Sequence, residues 1–530
     1  MGVPFYFYVI AKTYPGILCS DKPVCDVFYM DFNGAIHPAA QKAIREAKSL
    51  PRPVDLEDAI MKSIWRDTKA LIAIANPSVA THLCIDGVAP VAKMAQQRNR
   101  RFLSSFRARN SPTPPVWDTN AISPGTPFME KLQTFLMNQI HAPNSPTSIF
   151  LSGANEPGEG EHKIFQKIQD ATATAAAESE SAILIHGLDA DLIFLSLLSH
   201  RKGITLMREN AARPGQAAAP ATGPQYLNID ALRAGILKSL SDSHKWYIPD
   251  TVKADPFAIE SHAILETYAS LCFLLGNDFI PHIPWLDLRS NGYEAILRAA
   301  SPIMSSESSA NIQTSEVLAS VLVTLAKTED RDAMKKIEEH LRAAPRRGGP
   351  AHEDPLDAYP LMNKDPVAAK LLASDNWRPL YYKTFFFTRM HDTTVIAKAC
   401  RAYIQGIYWT LRYYKRQKKD PNWFYGYAYP PTLRDLANYV NSLQSDDIKE
   451  MLSTFTVSPD DPRTFVSSDV QLRCIMPKSS SAILPPSVQK MMVDPKMGCT
   501  HLYPSDFKIL TFLKTHLWEC AVVLPMIEAE

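Results

Sequence analysis

Seven carboxylates stand where chemistry is within reach of a folded chain: Asp31 in MDFNGAIH, Asp86 in CIDGVAP, Glu159 and Glu161 in PGEGEH, Asp189 and Asp191 in GLDADL, and Asp278 in GNDF. The E-x-E and D-x-D pairs each set two acids close together without a long chain reversal. Gathered in one pocket, seven carboxylates repel one another, and burying them is tolerable only if divalent cations neutralise them. Oxygen donors suit Mg²⁺ or Mn²⁺, and two such ions about 3.5–4 Å apart clamp the attacking and leaving oxygens of a phosphodiester. Taken singly, each acid reads more readily as an N-cap or a turn residue. Their common position at the ends of apolar runs is what turns the group into a metal site.

A second constellation is basic. Between Lys93 and Arg109 the sequence KMAQQRNRRFLSSFRAR carries six basic residues and no acidic one. At helical spacing Lys93, Gln97, Arg100 and Arg101 share one face, and three cations with an amide there form a phosphate-binding surface. The plainer reading is a solvated helix. KRQKK (415–419) is shorter and reads as a solvated turn, a backbone-tracking patch or a weak nuclear signal. His37 is placed to stack on a base if it is not structural, and Trp409 and Trp423 can do so only if a ring is exposed.

These side chains need a frame. From Val24 to about Glu209, short apolar runs alternate with helical patterns: VFYMDF before 55–76, HLCID before 91–109, SIFLSG before 159–170, and AILIHGLDAD before GITLMRE. The alternation predicts βαβ units around a central, mostly parallel sheet flanked by helices. Ligands then sit beyond the carboxyl ends of the strands, where Asp31, Asp86 and Asp189 fall. Two small-residue stretches, 171–181 and 211–224, read as surface loops. Residues 300–375 are polar and Ser/Ala-rich and read as a connector with some helix, and from about Asn376 the chain is rich in aromatics.

Composition narrows the class further. At 530 residues the chain exceeds one ordinary core. Its 46% hydrophobic and 21% charged residues exclude broad disorder. A formal net charge of +1 gives no case for a passive polyanion binder, so any nucleic-acid contact is local. The 41 prolines, about 8% against a usual 5%, point to stiff loops. Eight cysteines without a C-x-x-C argue against a zinc ribbon or a disulfide scaffold. No export signal is visible at the start and no run of about 18 apolar residues occurs. The expectation is an intracellular protein without membrane contact, placed in the cytoplasm ahead of the nucleus.

The motifs GVPFYF, DFNGAIH, IDGVAPVAKMAQQRNRRF, DTNAISPGTPFM, PGEGEHKI, GLDADLI and GNDFIPHIP, in that order over residues 1–285, closely resemble the XRN family of 5′→3′ exoribonucleases. The resemblance resumes at YIQGIYWTLRYY, NWFYGYAYP, LPPSVQKMMVDP, LYPSDF and VVLPMIE, and is weakest over 300–375. It implies a PIN-like, flap-nuclease-like core over 1–299, the connector 300–375, and an α-rich, aromatic-rich region over 376–530 that completes the pocket. It implies further that all seven acids bind about two Mg²⁺ or Mn²⁺ ions and that Lys93, Gln97, Arg100 and Arg101 hold a 5′-phosphate. His37 and a tryptophan, Trp409 before Trp423, would then sandwich the terminal base. The implied substrate is single-stranded RNA with a 5′-monophosphate, released as mononucleotides, with capped or triphosphorylated ends excluded. Two departures stand out: FYFYVIAKTYP replaces a usually basic, Trp-containing stretch, and Val91 stands where Arg is common. The family's long C-terminal extension and CCHC knuckle are not seen. The alternatives are a flap-type endonuclease acting on branched DNA and an RNA-binding scaffold without turnover.

Overall fold

The computed structural model describes every residue except 1–2, 4, 47–52, 113–114, 143–147, 175–180, 188, 209–222, 346–354, 389–391, 418–419, 444–465 and 528–530. Most of the two small-residue stretches and part of KRQKK thus lie outside the described residues. Residues 171–174 of the first stretch belong to a helix rather than a loop.

Seven strands form the main sheet: β1 (Leu18–Cys19), β2 (Val27–Asp31), β3 (Ala80–Cys84), β4 (Ile149–Ser152), β5 (Ile183–His186), β6 (Ile204–Arg208) and β7 (Gln225–Asn228), in the order β1-β7-β6-β5-β2-β3-β4. The strands from β6 to β4 are parallel, and β7 and β1 add an antiparallel edge. That edge was not legible in advance, since β1 is two residues long and β7 follows an undescribed stretch. The chain leaves β2 toward β3 and β4, then returns to β5 on the other side of β2. This reversal makes the carboxyl ends of β2 and β5 a topological switch point.

The helices that cover the sheet follow from side-chain alternation. Along β2, Phe28 and Met30 face one core with Ile36 of α2 (Asn33–Glu46), Ile60 and Ile64 of α3 (Pro53–Ala75) and Leu132 of α5 (Pro127–Ile140). Tyr29 faces the opposite core with Ile164 of α6 (Gly160–Thr174) and Leu192 of α7 (Asp191–Leu198). Both faces are therefore dry, and each fully buried Leu, Ile or Phe contributes about 1.5–3 kcal/mol. The basic segment forms α4 (Val91–Asn110), and α1 (Tyr6–Thr13) precedes the sheet.

Residues 300–375 include packed helices. Helix Thr314–Ala326 buries Val317, Leu318, Val321 and Leu322, and helix Glu329–Arg342 buries Ala333 and Ile337. These side chains join the same core as helix Thr393–Tyr414 and α7. Among the described residues, buried side chains on both sides of 299/300 and of 375/376 belong to this one core.

Candidate active site

Asp31 is the last residue of β2, and its register opposite Cys84 carries Asp86 just past the end of β3. The Asp86 amide donates to Asn33 Oδ1 at 3.1 Å, and Asp86 Oδ1 accepts the Gly160 amide at 2.6 Å. Only glycine fits there, since a Cβ on Gly160 would lie 2.6 Å from the Cys84 carbonyl and 2.8 Å from Asp31 Oδ1. Lys163, one turn into α6, donates to the carbonyls of Ile85 at 2.8 Å and Gly153 at 2.7 Å, tying α6 to the ends of β3 and β4. Asp191 opens α7, and Asp278 lies beyond helix Glu260–Cys272 in a turn where Asn277 Oδ1 accepts two backbone amides.

Six of the acids interact with one buried ammonium, and Asp189 stands beside Asp31. Lys93 Nζ lies 2.6 Å from Glu159 Oε1 and 2.9 Å from Asp278 Oδ2, with all three side chains at most 10% exposed. Burial disfavours the charged lysine, but Asp278, Glu159, Glu161 and Asp191 overcome it and hold its pKa well above the usual value. Burial, then Asp86 and Asp189, pushes Asp31 well above the usual carboxylate range. Glu161 is raised the same way by burial and Asp191, Asp86 by burial and Glu159, and Asp191 reaches about 6 through burial and Asp278. Asp278 is pushed up by burial, yet Lys93 outweighs that and holds it below its usual range. A single lysine does not offset the mutual repulsion and burial of these carboxyls, and a set of hard oxygen donors short of positive charge fits divalent cations. Among the described residues, ligand atoms of Glu159, Glu161 and His162 lie within 4.8 Å of one another.

Two residues that sequence reasoning missed complete the pocket. The Tyr413 hydroxyl donates to Glu159 and the Tyr414 hydroxyl to Asp191, both from the last turn of helix Thr393–Tyr414. His162 Nε2 meets the Tyr413 carbonyl at 2.9 Å. The tyrosine pair in WTLRYY was visible, but nothing separated it from the other rings of an aromatic segment.

The basic face of α4 is divided. Gln97 and Arg101 are buried beside the acids, Arg101 donating to Ser123 Oγ at 2.6 Å while its Nε and Nη1 and the Gln97 Oε1 make no hydrogen bond. Arg100 is exposed. The Lys93 ammonium is held between Glu159 and Asp278. Arg98, which lies off that face, serves structure by donating to the carbonyls of Cys474 and Leu502. The Val91 amide donates to the Pro421 carbonyl at 2.9 Å, so the helix start is anchored by backbone whatever the side chain.

His37 sits in α2 against Arg100 and Arg101; burial first and then these cations lower its pKa to about 4, so the ring is neutral. Trp409 is 0% exposed: it stacks with Tyr413 and Trp423, meets Phe279 edge-on, and donates its indole N–H to the Asp420 carbonyl. The structure does not bring its ring to an open surface, because an indole in this Tyr-rich helix completes a core. Trp423, half-buried, keeps area to offer.

An acidic pocket beyond the carboxyl ends of a parallel sheet, closed by a helical region, defines a PIN-like α/β core with an appended helical domain. Residues 1–210 match the family model described as XRN 5′-3′ exonuclease N-terminus, and residues 362–530 match the Xrn1 helical domain. The chain belongs to the XRN family. It is 27% identical to human 5′-3′ exoribonuclease 1 over its whole length, which is 33% of that protein. It is 26% identical to the Drosophila melanogaster 5′-3′ exoribonuclease 2 homolog and 25% to Gallus gallus 5′-3′ exoribonuclease 2, covering 70% and 69% of them. Among the described residues no helix is long and apolar enough to cross a membrane.

Proposed function

We propose that the protein is a divalent-metal-dependent 5′→3′ exoribonuclease that removes mononucleotides from 5′-monophosphorylated single-stranded RNA. The observation that carries this reading is the gathering of six carboxylates around one buried ammonium, with Asp189 beside Asp31, next to a helix face with unsatisfied arginine and amide groups. Arg101 Nε and Nη1 and Gln97 Oε1 are buried polar atoms without partners, and a terminal phosphate supplies acceptors for the guanidinium. Arg100, on the exposed edge, meets the same phosphate from the solvent side. The neutral His37 ring is placed to stack on the first base without adding charge. Tyr413 and Tyr414 fix the orientation of Glu159 and Asp191, and Lys163 fixes the strand ends that carry Asp86. Two Mg²⁺ or Mn²⁺ ions held by Asp31, Asp86, Glu159, Glu161, Asp189, Asp191 and Asp278 would supply Lewis acidity and an activated water. On this reading triphosphorylated and capped ends are poor substrates, since Gln97 and Arg101 are buried and a bulkier end has further charge to desolvate against them.

The test offers one RNA sequence with a 5′-monophosphate or a 5′-triphosphate, in Mg²⁺ or Mn²⁺, and resolves products by length. Mononucleotides released from the monophosphate form alone support the reading. Internal cuts independent of the 5′ end would identify a structure-specific endonuclease, and binding without cleavage in either metal a scaffold.

A further inference from the structure

A second cavity, of about 390 Å³, adjoins the acidic pocket and shares Arg100 and Asp278 with it. Its wall also includes Phe5, Arg289, Lys514 and Trp518, none of which the reaction described above uses. Phe5 and Trp518 are 40% and 38% exposed, large areas for such rings, and their centroids lie 6.3 Å apart. Phe5 adopts φ 65°, a left-handed conformation that residues with a Cβ avoid and that tends to persist where surroundings impose it for function. The Arg289 guanidinium lies 4.0 Å over the Phe5 ring and is itself held by Thr515 at 2.7 Å and Glu519 at 2.9 Å. The aromatic and cationic wall is therefore built in advance.

Two further observations show a surface prepared for a polar ligand. His340, 4% exposed, lines the cavity with Nε2 lacking a hydrogen-bond partner, and both amide atoms of Gln96 on α4 are likewise buried without one. Lys514 forms no ion pair among the described residues, and burial lowers its pKa against the pull of Glu519.

We propose that this cavity carries the RNA strand downstream of the nucleotides held at the acids, with bases stacking on Phe5 and Trp518 and with Arg289 and Lys514 facing backbone phosphates. The inference rests on the exoribonuclease reading and specifies where its substrate runs. Rings alternating with cations are the means by which single strands are held without regard to sequence.

The full chain is tested on 5′-monophosphorylated RNAs of three and of ten nucleotides. Trp518→Ala is expected to lower kcat/KM about tenfold on the decamer and to leave the trimer within twofold. Lys514→Gln is expected to weaken decamer binding and reduce its salt dependence. On the unaltered chain, 4-thiouridine near the middle of the decamer is expected to cross-link to Phe5 or Trp518, which reads the path without any variant. Equal losses on both lengths, no loss on the decamer, cross-links elsewhere, or an effect confined to inhibition by free AMP would overturn the proposal. Failure of the exoribonuclease reading looks different: the unaltered chain would release no mononucleotides from either RNA.

Discussion

Replacing Lys93 by methionine isolates the charge on which the acidic pocket depends. Its ammonium lies within 2.9 Å of both Glu159 and Asp278, and all three side chains are nearly solvent-free. Methionine keeps most of the volume and removes the charge, leaving Glu159 and Asp278 without the ammonium that contacts them. Breaking a buried pair in this way costs about 3–5 kcal/mol. At roughly 2–4 °C per kcal/mol for larger chains, the first thermal transition should fall by about 6 °C or more in EDTA. A divalent cation supplies the missing charge, and at 100 times its Kd it contributes about 2.7 kcal/mol. The ion competes with Lys93 in the unaltered protein but not in the variant, so the metal-induced rise should be larger in Lys93→Met. The assay is differential scanning fluorimetry of both proteins in EDTA and in Mg²⁺ or Mn²⁺. A variant as stable as the unaltered protein in EDTA, or one that gains no more from metal, would refute the reasoning.

Four further outcomes are expected. Asp191 has a folded pKa of about 6 against 3.8 in the open chain, so the folded state binds the extra proton between those values and this group's contribution to stability declines as pH rises through that window. Metal must displace that proton, so the metal-induced shift in Tm should grow from pH 5 to pH 7, and a shift independent of pH would count against the assignment. Gly160→Ala sets a Cβ against the Cys84 carbonyl and Asp31, and should cut RNA hydrolysis at least about 100-fold, since misplacement of about 1 Å costs that much; steady-state rates check it. Trp409→Ala should destabilise by about 3–5 kcal/mol as a core truncation; unchanged Tm with lost RNA binding would restore it as a stacking platform. Arg101→Met should erase the preference for a 5′-monophosphate over a 5′-hydroxyl end, read from the ratio of kcat/KM on the two RNAs.

The parallel strands and their acids were legible because fully buried strands read as apolar runs, and Asp31, Asp86 and Asp189 close them at matching positions. The single face of α4 was legible from its period, but which of its groups stay available was not. Lys93 looks like Arg100 on a helical wheel, and only the loop of Asp278, far along the chain, captures its ammonium. The burial of Trp409 was not legible for the same reason: it depends on Phe279, Tyr413 and Trp423 meeting it in the fold. In 314–326 the Ser and Thr residues hid an apolar stripe of Val317, Leu318, Val321 and Leu322. Tyr413 and Tyr414 carried no signal of their own, since a hydroxyl aimed at a carboxylate 223 or more residues away leaves no local pattern.

The most direct test of the central claim measures turnover and RNA affinity together in the double variant Asp189→Ala with Asp191→Ala. With 5′-monophosphorylated RNA and Mg²⁺, hydrolysis should be abolished while the RNA still binds within a few-fold of the unaltered protein. Hydrolysis at the original rate would contradict the assignment of the acidic pocket as the metal-dependent active site.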